Sequence, residues 1–210
     1  MRAEIVLYDG FDDLDAFAPH EVLRRAAAAR DDFSVELVTV DGAQSVTSAY
    51  GVTLRTPTRL GQPELLLVPG GGWAARAARS ARAEAERGAI PAALIEAHAR
   101  GAIIATVCTG AMLASAAGLT RGRHATTHHS ATADLRAAGA EIVAARVVDD
   151  GDLISSGGVT SGLDLALWLV ERFCSAALAV AIEEQIEYER RGTVWRQNAD
   201  FSPSARGARQ

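Results

Sequence analysis

The sequence predicts an α/β fold: one doubly wound, mainly parallel sheet with helices on both faces. Three observations carry this. Short apolar runs alternate with helix-period segments along the chain, as strands buried beneath crossover helices do. Two of those runs end on sharp punctuation, Pro69-Gly70-Gly71-Gly72 and Cys108-Thr109-Gly110. The chain of 210 residues has no internal repeat and no linker. That suits a single domain, expected over residues 1–198, with a loosely ordered polar tail over 199–210.

The elements follow in order. Glu4 to Tyr8 is a short apolar run, hence a first strand. Leu14 to Ala29 carries Leu14, Phe17, Ala18, Val22, Leu23 and Ala26, an amphipathic helix spacing. Pro19 is expected near the first turn of that helix, where its missing N–H costs little. Phe33 to Val40 alternates and is β-branched, a second strand. Val46 to Leu54 reads as a small hairpin turning near Tyr50-Gly51. Leu65 to Val68 is a fully apolar strand, and a helix follows over Ile90 to Ala99. Ala102 to Val107 is a buried strand running straight into a helix over Thr109 to Ala117, ended by Gly118. Ala131 to Ala138 is a short helix ended by Gly139. Glu141 to Val148 and Asp152 to Ile154 form a hairpin around Asp149-Asp150-Gly151. Gly162 to Arg191 is helical, with a break expected at Phe173-Cys174-Ser175.

Composition removes several function classes. Net charge is -5 and all 21 basic residues are Arg, none Lys. Lysine Schiff-base chemistry and a Walker A loop are therefore excluded. The acidic balance lacks the basic footprint of nucleic-acid binding. Two cysteines, Cys108 and Cys174, make no disulfide framework and fit a reducing compartment, so a cytoplasmic location is expected. No run of about 18 apolar residues predicts a membrane span, and no signal peptide is expected, since Ile5-Val6-Leu7 is too short an apolar run.

In sheets of this kind ligands bind at the carboxyl ends of strands. The end after Val107 is the most informative. Cys108 stops a strand just where a helix begins, a nucleophile-elbow arrangement. A free thiol is only about 3% thiolate at pH 7, and the positive helix end is expected to favour that thiolate. A buried core cysteine is the ordinary alternative. The glycine run at 70–72 exposes N–H groups that, with the Thr109 N–H, can form an oxyanion-type hole. Its alternative is a plain turn. After the first strand, Asp12 and Asp13 read as cap and dipole partners; Asp15 stands apart. His128-His129 offers a base, but adjacent histidines on an extended segment point to opposite faces. No third ligand is evident, so no metal is expected. Cys174 reads as a buried, inert helix residue, and Trp73 as a pocket, core or dimer residue.

The combination Asp15-x-x-x-Pro19-x-Glu21-Val22-Leu23, Val68-Pro69-Gly70-Gly71, Val107-Cys108-Thr109-Gly110 and Ala117-Gly118-Leu119 through Gly122-Arg123 to Ala125-Thr126-Thr127-His128 resembles the ThiJ/PfpI superfamily, related to class I glutamine amidotransferase domains. The closer likeness is to isonitrile hydratases and to the amidotransferase-like domains of AraC-type regulators. The resemblance implies a flavodoxin-like three-layer sandwich. It implies Cys108 as the reactive thiol, Asp15 as the acid touching it, and Gly71 and Thr109 as backbone donors. Thr109 also matches a residue that positions substrate or water. Gly70, Gly72, Trp73, His128 and His129 are expected around the substrate pocket. A homodimer without cofactor, acting on a small molecule and not on nucleic acid or membrane, is further implied.

The sequence departs from relatives in ways that matter. Thr109 replaces the histidine that follows the cysteine in protease members, and no histidine occurs beyond His129, so the protease base and the amidotransferase triad are both absent. His129 replaces a common Trp, and Ala18 a common Gly. The expected activity is hydration of an isonitrile to an N-formamide through a thioimidate on Cys108, with Asp15 as acid and base. Alternatives are glyoxalase or deglycase action on dicarbonyls, redox sensing through Cys108 oxidation, and ligand sensing without DNA binding.

Overall fold

The computed structural model describes residues 1–55 and 58–197; the expected tail over 199–210 lies outside them. Among the described residues twelve strands and seven α-helices follow in order. β1 (Arg2–Val6) leads to α1 (Asp13–Ala29), then β2 (Ser34–Thr39), the hairpin β3 (Ser45–Thr47) and β4 (Thr53–Arg55), and β5 (Thr58–Arg59). β6 (Leu65–Val68) is followed by α2 (Ala81–Arg87), α3 (Ala89–Ala99), β7 (Ile103–Thr106), α4 (Gly110–Ala116) and β8 (His124–Ala125). Then come α5 (Thr132–Ala137), β9 (Glu141–Ile142), β10 (Val147–Asp149), β11 (Leu153–Ser156), α6 (Ser161–Phe173), α7 (Ala176–Gln185) and β12 (Trp195–Arg196).

Eight strands form one sheet in the order β12-β10-β11-β7-β6-β1-β2-β5. It is parallel throughout except where β10 runs against β11. β6 is buried along its whole length, as a central strand covered on both faces must be. Helices α1, α6 and α7 pack together, and α2, α3 and α4 form the other layer. The core runs through Ile5, Leu23, Leu65, Ile104 and Leu165. The chain winds outward from β1 to β2 and then returns to the other side of β1 as β6 and β7. That reversal is the topological switch point, where the loops leave a crevice.

Several elements differ from the sequence expectation. Pro19 lies inside α1 and not in its first turn, because the helix starts at Asp13 with Asp12 as its cap. The Asp15 carbonyl thereby loses its usual donor four residues on. The strand expected over 141–148 splits: β9 pairs with β8, while β10 joins the main sheet. The helical region expected to reach Arg191 breaks at Cys174, where a break was expected, but ends already at Gln185. Cys174 is the cap at that break and is half-buried, not sealed within an apolar helix. Among the described residues no helix is long and apolar enough to cross a membrane.

Candidate active site

The turn after β7 carries Cys108 in the left-handed region, at φ 56°. For a residue with a Cβ this costs about 1–2 kcal/mol, so the surroundings must impose it. They do so through the backbone. The Cys108 N–H is shared between Ser156 O at 3.2 Å and Gly157 O at 3.0 Å. Its carbonyl accepts the Thr127 hydroxyl at 2.8 Å. Close approach of β6 adds the rest. A Cβ on Gly110 would stand 2.1 Å from Val68 O, and one on Gly70 would stand 2.5 Å from Thr109 N, so only glycine lets the two strand ends interlock.

Asp15, on the first turn of α1, is wholly buried. Its Oδ2 accepts the Gly70 N–H at 3.0 Å. Oδ1 has no aligned hydrogen-bond partner among the described residues. The carboxyl interacts with the Cys108 thiol and the Val159 N–H, yet burial and the neighbouring Asp12 push its pKa up to about 7. Burial, then the charge of Asp15, raises the Cys108 thiol well above its ordinary range, and the Thr109 and Val159 N–H groups at the sulfur only partly offset this. The expectation of a helix-stabilised thiolate is therefore corrected. α4 is only 7 residues long, and its weak dipole loses to desolvation and a facing carboxylate. Sulfur thus keeps its proton while Asp15 titrates at about 7, so above that pH the pair holds one proton, on sulfur.

The structure distributes the other expected residues unevenly. Thr109 lies at the site: its N–H reaches the sulfur, and its hydroxyl accepts the Gly71 N–H at 3.0 Å. The N–H groups of Gly70 and Gly71 are thus directed at Asp15 and Thr109 and not at Cys108. Gly72 sits against Ser80, at the head of α2. The Trp73 indole N–H donates to Asp134 at 2.7 Å, with Arg82 stacked 4.4 Å above the ring, and packs on the Met112–Leu135 cluster. His128 caps a 3-10 turn over His129–Ala131. That turn brings the two histidine rings side by side at 4.1 Å, in place of the opposite faces expected of an extended segment. Burial, then His129, lowers the His128 pKa, so it is neutral at pH 7.

Two neighbours were not signalled by the sequence. Val159, at φ 46°, turns its N–H to the sulfur and to Asp15. Tyr8 is buried, donates to Pro69 O at 3.0 Å, and has its hydroxyl pKa raised by burial and then by Asp15 and Cys108. Beyond Val159 a groove of about 610 Å³ opens, lined by Thr127, His128, His129, Gly157 and Gly158 among others. That volume lies within the range of small-molecule sites.

A parallel sheet with a strained elbow cysteine and a buried acid at its switch point defines a protein of the DJ-1/PfpI class. The chain belongs to the DJ-1/PfpI family, whose model matches residues 1–172. It is 33% identical over 208 residues to an isonitrile hydratase of Pseudomonas putida, covering 98% of this chain and 86% of that one. A THiJ/PfpI family protein from Pseudomonas syringae superposes with a TM-score of 0.78 at 26% identity, over 95% of this chain and 78% of its own. The fold is also shared with an AraC family transcriptional regulator from Pseudomonas putida (TM-score 0.74, 24% identity, 88% and 98% covered).

Proposed function

We propose that the chain is a cofactor-independent hydratase that converts an isonitrile to an N-formamide. The observation that carries this is a wholly buried Asp15 carboxyl set against the thiol of the elbow Cys108, where burial pushes the acid up to about 7. An isonitrile needs a nucleophile and a proton at the same terminal carbon. Asp15, as carboxylate, takes the S–H proton while sulfur attacks that carbon; Asp15 then delivers the proton to it. A C–S and a C–H bond form, giving the thioimidate S–CH=N–R. Water gives one proton to Asp15 as its oxygen adds to the same carbon, and Asp15 passes that proton to the nitrogen, giving S–CH(OH)–NH–R. The hydroxyl proton then moves through Asp15 to sulfur as the C–S bond breaks, returning the thiol and releasing HC(=O)–NH–R. No oxidant is consumed. The likeness to an isonitrile hydratase supports this reading. The enzyme is proposed to be a homodimer, as the family likeness implies, and cytoplasmic, as its two unpaired cysteines imply.

Steady-state formation of a formamide from a simple alkyl isonitrile tests it. The native protein is expected to turn over, Cys108→Ala to be inactive, and Asp15→Asn to lose at least about 100-fold. Full activity in either variant, or none in the native protein, refutes it. Action on methylglyoxal in place of isonitrile would move the assignment to dicarbonyl hydration by the same pair.

A further inference from the structure

The groove beyond Val159, the residue whose N–H lies at the Cys108 sulfur, has a charge pattern that the proposed reaction does not need. Its inner wall is the Gly157–Val159 segment, whose Gly157 carbonyl holds the Cys108 N–H. One side is an apolar strip, Ile142 to Ala145. Arg136 and Arg146 also line it, together with His128 and His129, and no Asp or Glu does. The two arginines are not equivalent. Arg146 is spent inside the protein: its Nε and Nη2 donate to Asp164 Oδ2 at 2.9 and 2.6 Å, and Nη2 also donates to Thr160 Oγ1 at 3.2 Å. It shapes the wall without offering charge to a ligand. Arg136 stands exposed in the last turn of α5, and its guanidinium has no ion pair or hydrogen bond among the described residues.

A guanidinium with five free donors over a groove without acids is matched to a planar anion. The N-terminal turn of α6, through Ser161, faces the same space and adds positive potential. We infer that the groove selects isonitriles bearing a carboxylate, with the isonitrile carbon at Cys108, the aliphatic middle along Ile142–Ala145 and the carboxylate on Arg136. This deepens the hydratase reading and rests on it: the substrate class becomes a small isonitrile acid.

The test compares 3-isocyanopropanoate with its methyl ester, which keeps the reacting group and removes the charge. The native protein is expected to favour the acid by about tenfold in kcat/KM, chiefly through KM, the value of one charge-assisted contact. Arg136→Gln should abolish that preference and leave ester turnover unchanged. Arg136→Lys should restore part of it. Equal kcat/KM for acid and ester in the native protein overturns the inference and leaves the hydratase reading standing. An equal loss on both substrates in Arg136→Gln also overturns it, because the residue would then act structurally. Absence of turnover on both compounds overturns the inference and the hydratase reading together.

Discussion

A wholly buried carboxyl with one oxygen on the Gly70 N–H and the other without an aligned hydrogen bond among the described residues keeps its proton up to about pH 7. The facing thiol keeps its own well above that. Between the two, the pair holds one proton in total, and the coupled titration belongs to both groups. Attack by sulfur requires Asp15 as carboxylate, so the doubly protonated pair is inactive. The rate kcat/KM on a neutral isonitrile should therefore rise with pH, with an apparent pKa of about 7, and stay level to about pH 8.5. A flat profile from pH 5.5, or a fall above pH 7, would remove Asp15 as the proton acceptor. At this scale the sequence showed the nucleophile and the acid unequally. Cys108 was legible because a strand ending directly in Cys-Thr-Gly has few structural uses. Asp15 came only through resemblance, since 93 positions separate it from Cys108. Val159 and Tyr8 were not legible: one arrives by a positive φ in a valine, the other by packing beneath Pro69.

Long apolar segments declared themselves as elements; two-residue strands did not. β5, β8, β9 and β12 are too short to show alternation, and tertiary pairing alone creates them. α2 (sequence ARAEAER) shows no apolar stripe, but it is capped by the Ser80 hydroxyl, which accepts the Ala83 N–H. That serine was the available signal. The first turn of α1 and the β3–β4 hairpin were both read, but not their union. Asp13 joins them, accepting the Ser48 hydroxyl at 2.8 Å and the Tyr50 N–H at 3.4 Å. The joined elements expose Leu14, Tyr50 and Val52, at 50%, 79% and 46%. Exposed apolar side chains grouped in this way mark association surfaces. If the homodimer forms here, sedimentation equilibrium should give about twice 22.0 kDa for the native protein. Leu14→Asp with Tyr50→Asp should give the single mass, with the circular dichroism spectrum kept. A native monomer, or a dimer in the double variant, excludes this surface.

The whole molecule bears the cost of the charge it buries. Asp15 titrates at about 7 in the folded chain and near 3.9 when unfolded. Between those values the native state binds the extra proton, so the linkage relation makes stability fall as pH rises from about 4 to about 7. Below that window Asp15 is neutral in both states and the cost is absent; above it the cost is complete. Three pKa units correspond to roughly 4 kcal/mol at most, set against a net stability of about 5–15 kcal/mol for a domain. Much of that figure is what activity requires, because a solvated Asp15 would surrender the proton that the isonitrile carbon must receive. Asp15→Asn keeps an acceptor for the Gly70 N–H and cannot ionise. At pH 8 it should unfold several degrees above the native protein, since 1 kcal/mol moves a chain of this length by about 2–4 °C. At pH 5 the two midpoints should approach one another, because native Asp15 is then protonated as well. Thermal denaturation of both proteins at the two pH values reads the difference directly. A variant gain that is the same at pH 5 and pH 8 would assign the effect to packing, and a loss at pH 8 would mean that the carboxylate is stabilised where it lies. A gain confined to high pH, accompanied by lost turnover, would show the fold holding a strained charge in place for chemistry.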